Sequence, residues 1–370
     1  MVNINIMRYL DKSFVLILGI LYFFKFLFFN QKKKTKKILI IRLWGMGDSI
    51  NTLPLCDIMH KKKYIVDILT TTEMSSIFSN QKYVHKTYFL NYKNPFSLFF
   101  LILKLRKNKY EFILDTEQFM NTSTILGTVI SPKNFIGFNH LFRSKFYTKT
   151  VVYSEKKHFV ENFVKLSPWK VDIPDKLLPL SYKDSVSTKV DKYLSKYIHK
   201  KIIGIHLGTA GTATGRRWNP VKFKDLANKI SKEIPNSVIL FTGLDFEKEI
   251  YTKIEPDLNL KHELNLINKL SKDEFFYLFK SINLFISNDT GAMHIAAAQG
   301  CKVIGLFGMN NPIKVGPWPL NKNISLYKNP NTNPIINNKY SIYPKNSDST
   351  IDLIEVKEVF KEVKKIFFKK

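Results

Sequence analysis

Cysteine is almost absent: Cys56 and Cys301 are the two in 370 residues. Two thiols cannot build a disulfide framework, and both fall in apolar helix or strand contexts, so they read as free buried thiols in a reducing compartment. Neither stands in the clustered Cys, His and carboxylate spacing that a metal site needs, so no metal is expected. Acidic residues are scarce too, 30 against 58 lysines and arginines, for a formal charge of +28. Nucleic acid, anionic lipid, lipopolysaccharide phosphate and nucleotide diphosphate all suit such an excess. The pattern discriminates better than the total. Most basic residues are lysines spread through helical segments, with few of the arginine–aromatic interleavings that grip single strands. An anionic membrane surface is therefore favoured as a partner and nucleic acid is not expected. A complete GxGxxG fingerprint, a Walker A loop and any repeat at solenoid spacing are also missing, which weakens dinucleotide, ATPase and array readings.

One long hydrophobic run is present. Residues 13–29 read SFVLILGILYFFKFLFF, interrupted only by Lys25 and followed by Lys32, Lys33, Lys34, Lys36 and Lys37. Its length reaches only the short end of a transmembrane span, and Lys25 would have to snorkel. A marginal span and an interfacial anchor both fit, and so does a helix packed on the first domain. The basic block keeps the downstream chain on the cytoplasmic side, and no small-residue cleavage site makes the run a removable signal.

Past the lysine block, the apolar KILIIRL of residues 37–43 predicts a strand and residues 48–60 the helix behind it. Further strands at 64–69 and 111–115, separated by a helical stretch at 95–105, continue a βα alternation. Pro174, Pro179 and polar neighbours between 170 and 185 mark a linker. A second register then begins. Strands are predicted at 202–206, 237–241, 284–287 and 302–307, and a helix is announced by Asn219 as cap with Pro220 at its first position. Ser271 with Glu274 forms a capping-box signature, and Gly300 closes a helix over 292–299. Residues 321–349 are rich in Asn, Pro and Lys without period and read as a long loop. Residues 352–370 regain helical spacing and are expected to return to the first domain. The division is a hydrophobic anchor helix and basic linker at 1–35, a first α/β domain at 36–178, a second at 179–345 and the final helix at 346–370.

The chemistry sits where strands end. Gly45 and Gly47 permit a tight strand-to-helix turn, but the next residue is Asp48. A carboxylate at a helix start is stabilised as the anion and repels a phosphate at the same amides. Asp48 is either a general base aimed at a hydroxyl or an N-cap. The loop at 207–218, LGTAGTATGRRW, brings backbone amides, the hydroxyls of Thr212 and Thr214, and Arg216 or Arg217 to a strand end, a suitable diphosphate cradle. Arg216 is the favoured inward guanidinium, able to grip phosphate oxygens as a leaving group gains charge. Asp289, Thr290 and Gly291 open the helix AMHIAAAQG, whose first amides suit a diphosphate. His294, one turn in, faces the same ligand or is a packed core histidine. Asp245 accepts ribose hydroxyls or caps a helix.

The ordered set of segments resembles glycosyltransferase family 9, the ADP-heptose:lipopolysaccharide heptosyltransferases. It comprises IRLWGMGDSINTLP at 41–54, DTEQFMNTS at 115–123, IGF at 136–138, HLGTAGTATGRRWNP at 206–220, TGLDFE at 242–247 and SNDTGAMHIAAAQGCKVIGLFGMNNP at 287–312. The resemblance spans roughly residues 37–320, and the last segment is the most specific. It implies the GT-B fold class, two doubly wound α/β Rossmann-like domains facing across a cleft, and metal-independent transfer of a sugar with inversion. It also implies Asp48 as catalytic base and Arg216 in place of a phosphate-binding lysine two positions before tryptophan. Asp245 falls where the family contacts ribose, and Asp289, Thr290, Gly291 and His294 fall on the family's DTG and histidine positions. The expected donor is ADP-heptose with no other cofactor, and the expected acceptor is lipopolysaccharide core or another lipid-linked glycan at the cytoplasmic face of the bacterial inner membrane. Competing readings are a GT-B transferase for another nucleotide sugar, such as a UDP-hexose, and a non-catalytic glycan- or nucleic-acid-binding protein.

Overall fold

The structure is a computed structural model that describes residues 11, 20, 35–91, 94–130, 132–210, 213–328 and 350–368. The chain divides into two units, Met1–Pro174 and Asp175–Lys370. The boundary falls inside the linker read from its prolines. The hydrophobic run at 13–29 lies outside the described residues apart from Ile20, as does Thr212. Among the described residues no helix is long and apolar enough to cross a membrane.

The first unit is a six-stranded parallel sheet, β3-β2-β1-β4-β5-β6. Its strands are β1 (Lys37–Ile41), β2 (Ile65–Thr71), β3 (Lys86–Leu90), β4 (Phe112–Asp115), β5 (Asn134–Phe138) and β6 (Lys149–Val151). The helices that matter here are α1 (Met46–Lys61), α2 (Pro95–Lys107), α3 (Asn121–Ile130) and α4 (Phe159–Val164). A parallel strand covered on both faces must be apolar along its length rather than alternating. Ile38, Leu39, Ile40 and Ile41 of β1 are accordingly all buried at the centre. Burial of each such side chain contributes about 1.5–3 kcal/mol before entropy is counted. α1 is buried from Ser49 to Cys56 and packs against α4.

The second unit repeats the plan with the sheet β12-β11-β10-β7-β8-β9, again parallel throughout. The strands are β7 (Lys201–His206), β8 (Ser237–Thr242), β9 (Glu263–Asn265), β10 (Leu284–Asn288), β11 (Val303–Phe307) and β12 (Ile324–Tyr327). They alternate with α5 (Ser187–Leu194), α6 (Pro220–Glu233), α7 (Asp245–Ile254), α8 (Lys272–Leu278) and α9 (Gly291–Ala298). The predicted caps form. Asn219 accepts from the Val221 amide, Ser271 and Glu274 make their reciprocal box, and Gly300 after α9 adopts φ 82°. Two strands at each sheet's centre reverse direction of progression, the switch point at which open α/β sheets bind ligands beyond their carboxyl ends.

Two expectations need correction. The loop predicted from residue 321 contains β12, which extends the sheet beside β11; residues 329–349 of that loop lie outside the described ones. The final helix, α10 (Val356–Phe368), spends its apolar face in the second unit rather than on the first. Val359, Phe360 and Val363 join the core cluster of Trp218, Phe223 and Ile230 and pack against α6. Trp218 Nε1 also donates to the Ile354 carbonyl at 2.9 Å. A stripe spaced for one partner has no second apolar face to offer another.

Candidate active site

In the first unit the site begins where β1 ends. Gly45 takes φ 78°, a conformation costly for residues with a Cβ, and an added Cβ would lie 2.9 Å from Asp48 Oδ2. Gly45 is the cap position of α1, so Asp48 lies inside the first turn and is not its N-cap. Its carboxylate is held by Arg42, a residue to which the sequence motifs assign no role. Arg42 Nη2 donates to Asp48 Oδ2 at 2.5 Å, Nη1 to the Thr116 carbonyl at 2.9 Å and Nε to the Trp44 carbonyl at 2.9 Å. The same guanidinium lies 3.7 Å from Glu117 Oε2. Glu117 Oε1 in turn accepts from the Leu43 and Trp44 amides at 2.7 and 3.1 Å. One buried cation therefore ties the end of β1, the turn, the start of α1 and the loop after β4. Burial pushes the Glu117 carboxyl above the usual range, opposed by Arg42 and the Leu43 amide and reinforced by Asp115 and Asp48.

A second network backs this loop. Arg143, itself buried, donates from Nη2 to Asp115 Oδ2 at 3.1 Å, to Tyr147 Oη at 2.9 Å and to the Glu117 carbonyl at 3.0 Å. Arg143 Nε donates to Thr124 Oγ1 at 2.7 Å. At the start of α3 the Asp11 carboxylate accepts from the amides of Asn121 and Thr122 at 3.0 and 2.8 Å and from Thr122 Oγ1 at 2.7 Å. Asp11 is thereby held at the start of α3.

The second unit gathers most of its sequence-predicted residues on the carboxyl edge of β7, β8 and β10. Arg216 Nη1 meets Asp289 Oδ2 at 3.1 Å, and Asn310 Nδ2 donates to the same oxygen at 2.5 Å. Thr290 caps α9, its hydroxyl accepting from the Ala292 amide at 3.1 Å, with Gly291 first in the helix. Asn288 clips the two loops together. Its Oδ1 accepts from the Trp218 amide at 3.0 Å, and its Nδ2 donates to the Leu207 carbonyl at 3.0 Å.

The two arginines diverge. Arg217 donates to Thr209 Oγ1 and to the Thr209 carbonyl at 3.0 and 3.1 Å and lies over the Phe246 ring. Thr214 is exposed at the start of a 3₁₀ turn ending at Arg216. His294 is buried on α9.

Asp245 is exposed and accepts from Asn268 Nδ2 at 3.2 Å. The buried acid here is Glu247, which accepts from the Leu244 amide at 2.7 Å. Burial pushes its carboxyl up to about 7, opposed by backbone amides and Arg217. Its neighbour His206, 3.6 Å away, is pushed down to about 4 by burial, so the contact is not an ion pair near neutrality. Gly208 makes this packing possible, since a Cβ there would lie 2.1 Å from Glu247 Oε1. Glu247 accepts the amide three residues before it as the acid of a capping box does, but Leu244 has no side-chain acceptor, so the sequence carries no capping-box signature for it. Arg42, Glu117 and Asn310 lie inside the family-like segments at 41–54, 115–123 and 287–312, which assign them no role. Among the described residues no group of three or more His, Cys, Asp or Glu side chains is placed to hold a metal ion.

Two Rossmann-like units, one ending a strand in a part-buried Arg–Asp pair and the other in a cationic loop clipped to a helix start, have the GT-B class of fold. Residues 99–340 match the family model of Glycosyltransferase family 9 (heptosyltransferase). The chain belongs to that family. It is 27% identical over 357 residues to lipopolysaccharide heptosyltransferase 1 of Campylobacter coli, covering 90% of this chain and 99% of that one. Among solved structures, the glycosyl transferase family 9 protein of Veillonella parvula aligns with a TM-score of 0.74 at 15% identity, over 92% of this chain and 99% of that one. The E. coli ADP-heptose lps heptosyltransferase II aligns with a TM-score of 0.67 at 18% identity, over 90% and 98%.

Proposed function

We propose that the protein transfers heptose from ADP-heptose, with inversion, onto lipopolysaccharide core at the cytoplasmic face of the inner membrane. The observation that carries the reading is the Asp48 carboxylate, held by Arg42 at the mouth of α1 in a chain of this family. Asp48 takes the proton of the acceptor hydroxyl as its oxygen attacks the anomeric carbon. The bond to the diphosphate breaks, and the electron pair leaves on the diphosphate oxygen. Arg216, Thr290 and the first amides of α9 stabilise that developing charge, where fixed donors lower the barrier most. Arg217 and Thr214, with Thr212 outside the described residues, flank the diphosphate. Asp289 fixes Arg216, and Gly291 lets the donor approach the helix start. His294 supports that start from one turn inside.

Asp245, exposed at the start of α7, receives the ribose hydroxyls, and buried Glu247 holds that turn through the Leu244 amide. The hydrophobic run at 13–29 or a peripheral surface supplies membrane association.

The test is turnover of ADP-heptose against UDP-sugars with purified core acceptor, together with donor affinity by calorimetry. Asp48→Asn is expected to cut turnover about 10²–10⁴-fold with donor affinity retained. Consumption of a UDP-sugar in place of ADP-heptose would overturn the donor. Full turnover by Asp48→Asn would overturn the base.

A further inference from the structure

α2 is apolar on both faces. Leu98, Leu101, Ile102 and Leu105 face inward and pack on the first unit's core. On the opposite side Phe96, Phe99, Phe100 and Leu103 are 76, 58, 65 and 40% exposed. The spacing i, i+3, i+4, i+7 puts them on one stripe. A helix apolar all round is normally enclosed by protein or lipid, and a run of large aromatics left in water marks an interaction surface. Phe89, on the neighbouring edge strand β3, adds a further exposed ring.

Charge selects the partner. Between Glu73 and Glu111 the chain has no acidic residue, while Lys82, Lys86, Lys104, Lys107 and Lys109 of this stretch are exposed. We infer that this face of α2 docks on an anionic lipid bilayer, with Phe96, Phe99, Phe100 and Leu103 in the acyl boundary and the lysines at the headgroups. A helix with such a face binds in the plane of the interface, by apolar burial plus attraction to anionic lipid. Phe96 is at the start of the helix that follows β3. All six strands are parallel, so this end of α2 shares the carboxyl edge of the sheet with the Asp48 turn. The docked face brings that edge to the lipid, where an amphiphilic acceptor resides. The inference rests on the exposed helix face and holds whichever sugar is transferred.

Cys56 and Cys301 are buried with thiols raised by burial, Cys301 to about 12, so an added surface cysteine can be labelled selectively. The full chain carrying Phe99→Cys with an environment-sensitive fluorophore is mixed with phosphatidylglycerol vesicles brominated in the acyl chains, or with phosphatidylcholine equivalents. The expected result is a blue shift and bromine quenching on phosphatidylglycerol, weaker on phosphatidylcholine and reduced by salt. A probe at Ile198→Cys, 74% exposed on the second unit, stays in water. A Phe99 probe that remains aqueous while the chain is vesicle-bound overturns the inference, as does failure of the chain to bind either vesicle. A shift that grows with protein concentration without vesicles overturns it too, by showing that a second copy covers the face.

Discussion

Arg42→Met removes a buried cation that serves three acceptors and faces a fourth. The variant loses the donors to the Trp44 and Thr116 carbonyls and to Asp48, and leaves Glu117, 5% exposed at its side chain, without its countercharge. Asp48 is 31% exposed, so water recovers much of its share, and the cost is concentrated on Glu117 and the Thr116 carbonyl. Breaking a buried pair by deleting one partner typically costs about 3–5 kcal/mol. For a unit of this size that corresponds to a fall in Tm of roughly 6–20 °C. The pH dependence has a definite sign. Glu117 already sits above the usual carboxylate range, and without Arg42 it rises further. The folded variant then holds a proton that the unfolded chain releases, so the deficit grows as pH rises above the unfolded pKa and shrinks as pH falls. Calorimetric unfolding at pH 8 and pH 6 reads both effects, and Arg42→Met/Glu117→Gln should regain part of the loss. A fall in Tm under about 2 °C, equivalent to less than ~1 kcal/mol, would refute the role of Arg42 as the tie of this loop. So would a deficit that is larger at the lower pH.

Glu247, raised to about 7, contributes most to stability below the unfolded carboxylate range, and that contribution is lost as pH climbs to 7. Glu247→Gln should flatten the stability profile across that window; an unchanged profile by urea titration would remove Glu247 from the account. Gly208→Ala places a methyl 2.1 Å from Glu247 Oε1 and should cost about 1–3 kcal/mol, read as a lower urea midpoint. Gly208→Ala/Glu247→Ala should then cost less than the sum of the single changes, because the clash is gone; strict additivity would place the strain elsewhere.

The elements that were legible are those whose burial writes a pattern. β1, β7, β8 and β10 are fully enclosed and so nearly continuous in apolar residues. α6 and α8 carry caps whose residue types follow from unpaired amides. Five strands escaped: β3, β6, β9 and β12 are edge strands, with KTV, ELN and ISLY of the last three nowhere fully buried, while interior β5 is buried but its five residues, NFIGF, are too short a run to stand out. A strand with one partner and a half-wet face has no hydrophobic run to display. The final helix was readable as a helix, but an apolar stripe does not name its partner, and its partner is α6.

The candidate residues divide in the same way. Asp48, Thr290 and Gly291 are set by local chain geometry, a turn followed by a helix start, and a linear motif encodes such geometry. Arg216 likewise comes from a loop whose glycines, threonines and arginines stand together in the sequence. Arg42 and Glu117 acquire meaning only when strands 74 residues apart in sequence lie side by side, as β1 and β4 do. The choice between Asp245 and Glu247 turns on two residues of helical phase, which decides whether a carboxyl faces water or Gly208. Sequence by itself determined the class of fold, the family and which loops carry the candidate residues, because covalent neighbours and hydrophobic period are written along the chain. Only tertiary structure decided which charges are buried and what compensates them, because desolvation depends on residues brought close by folding rather than by order.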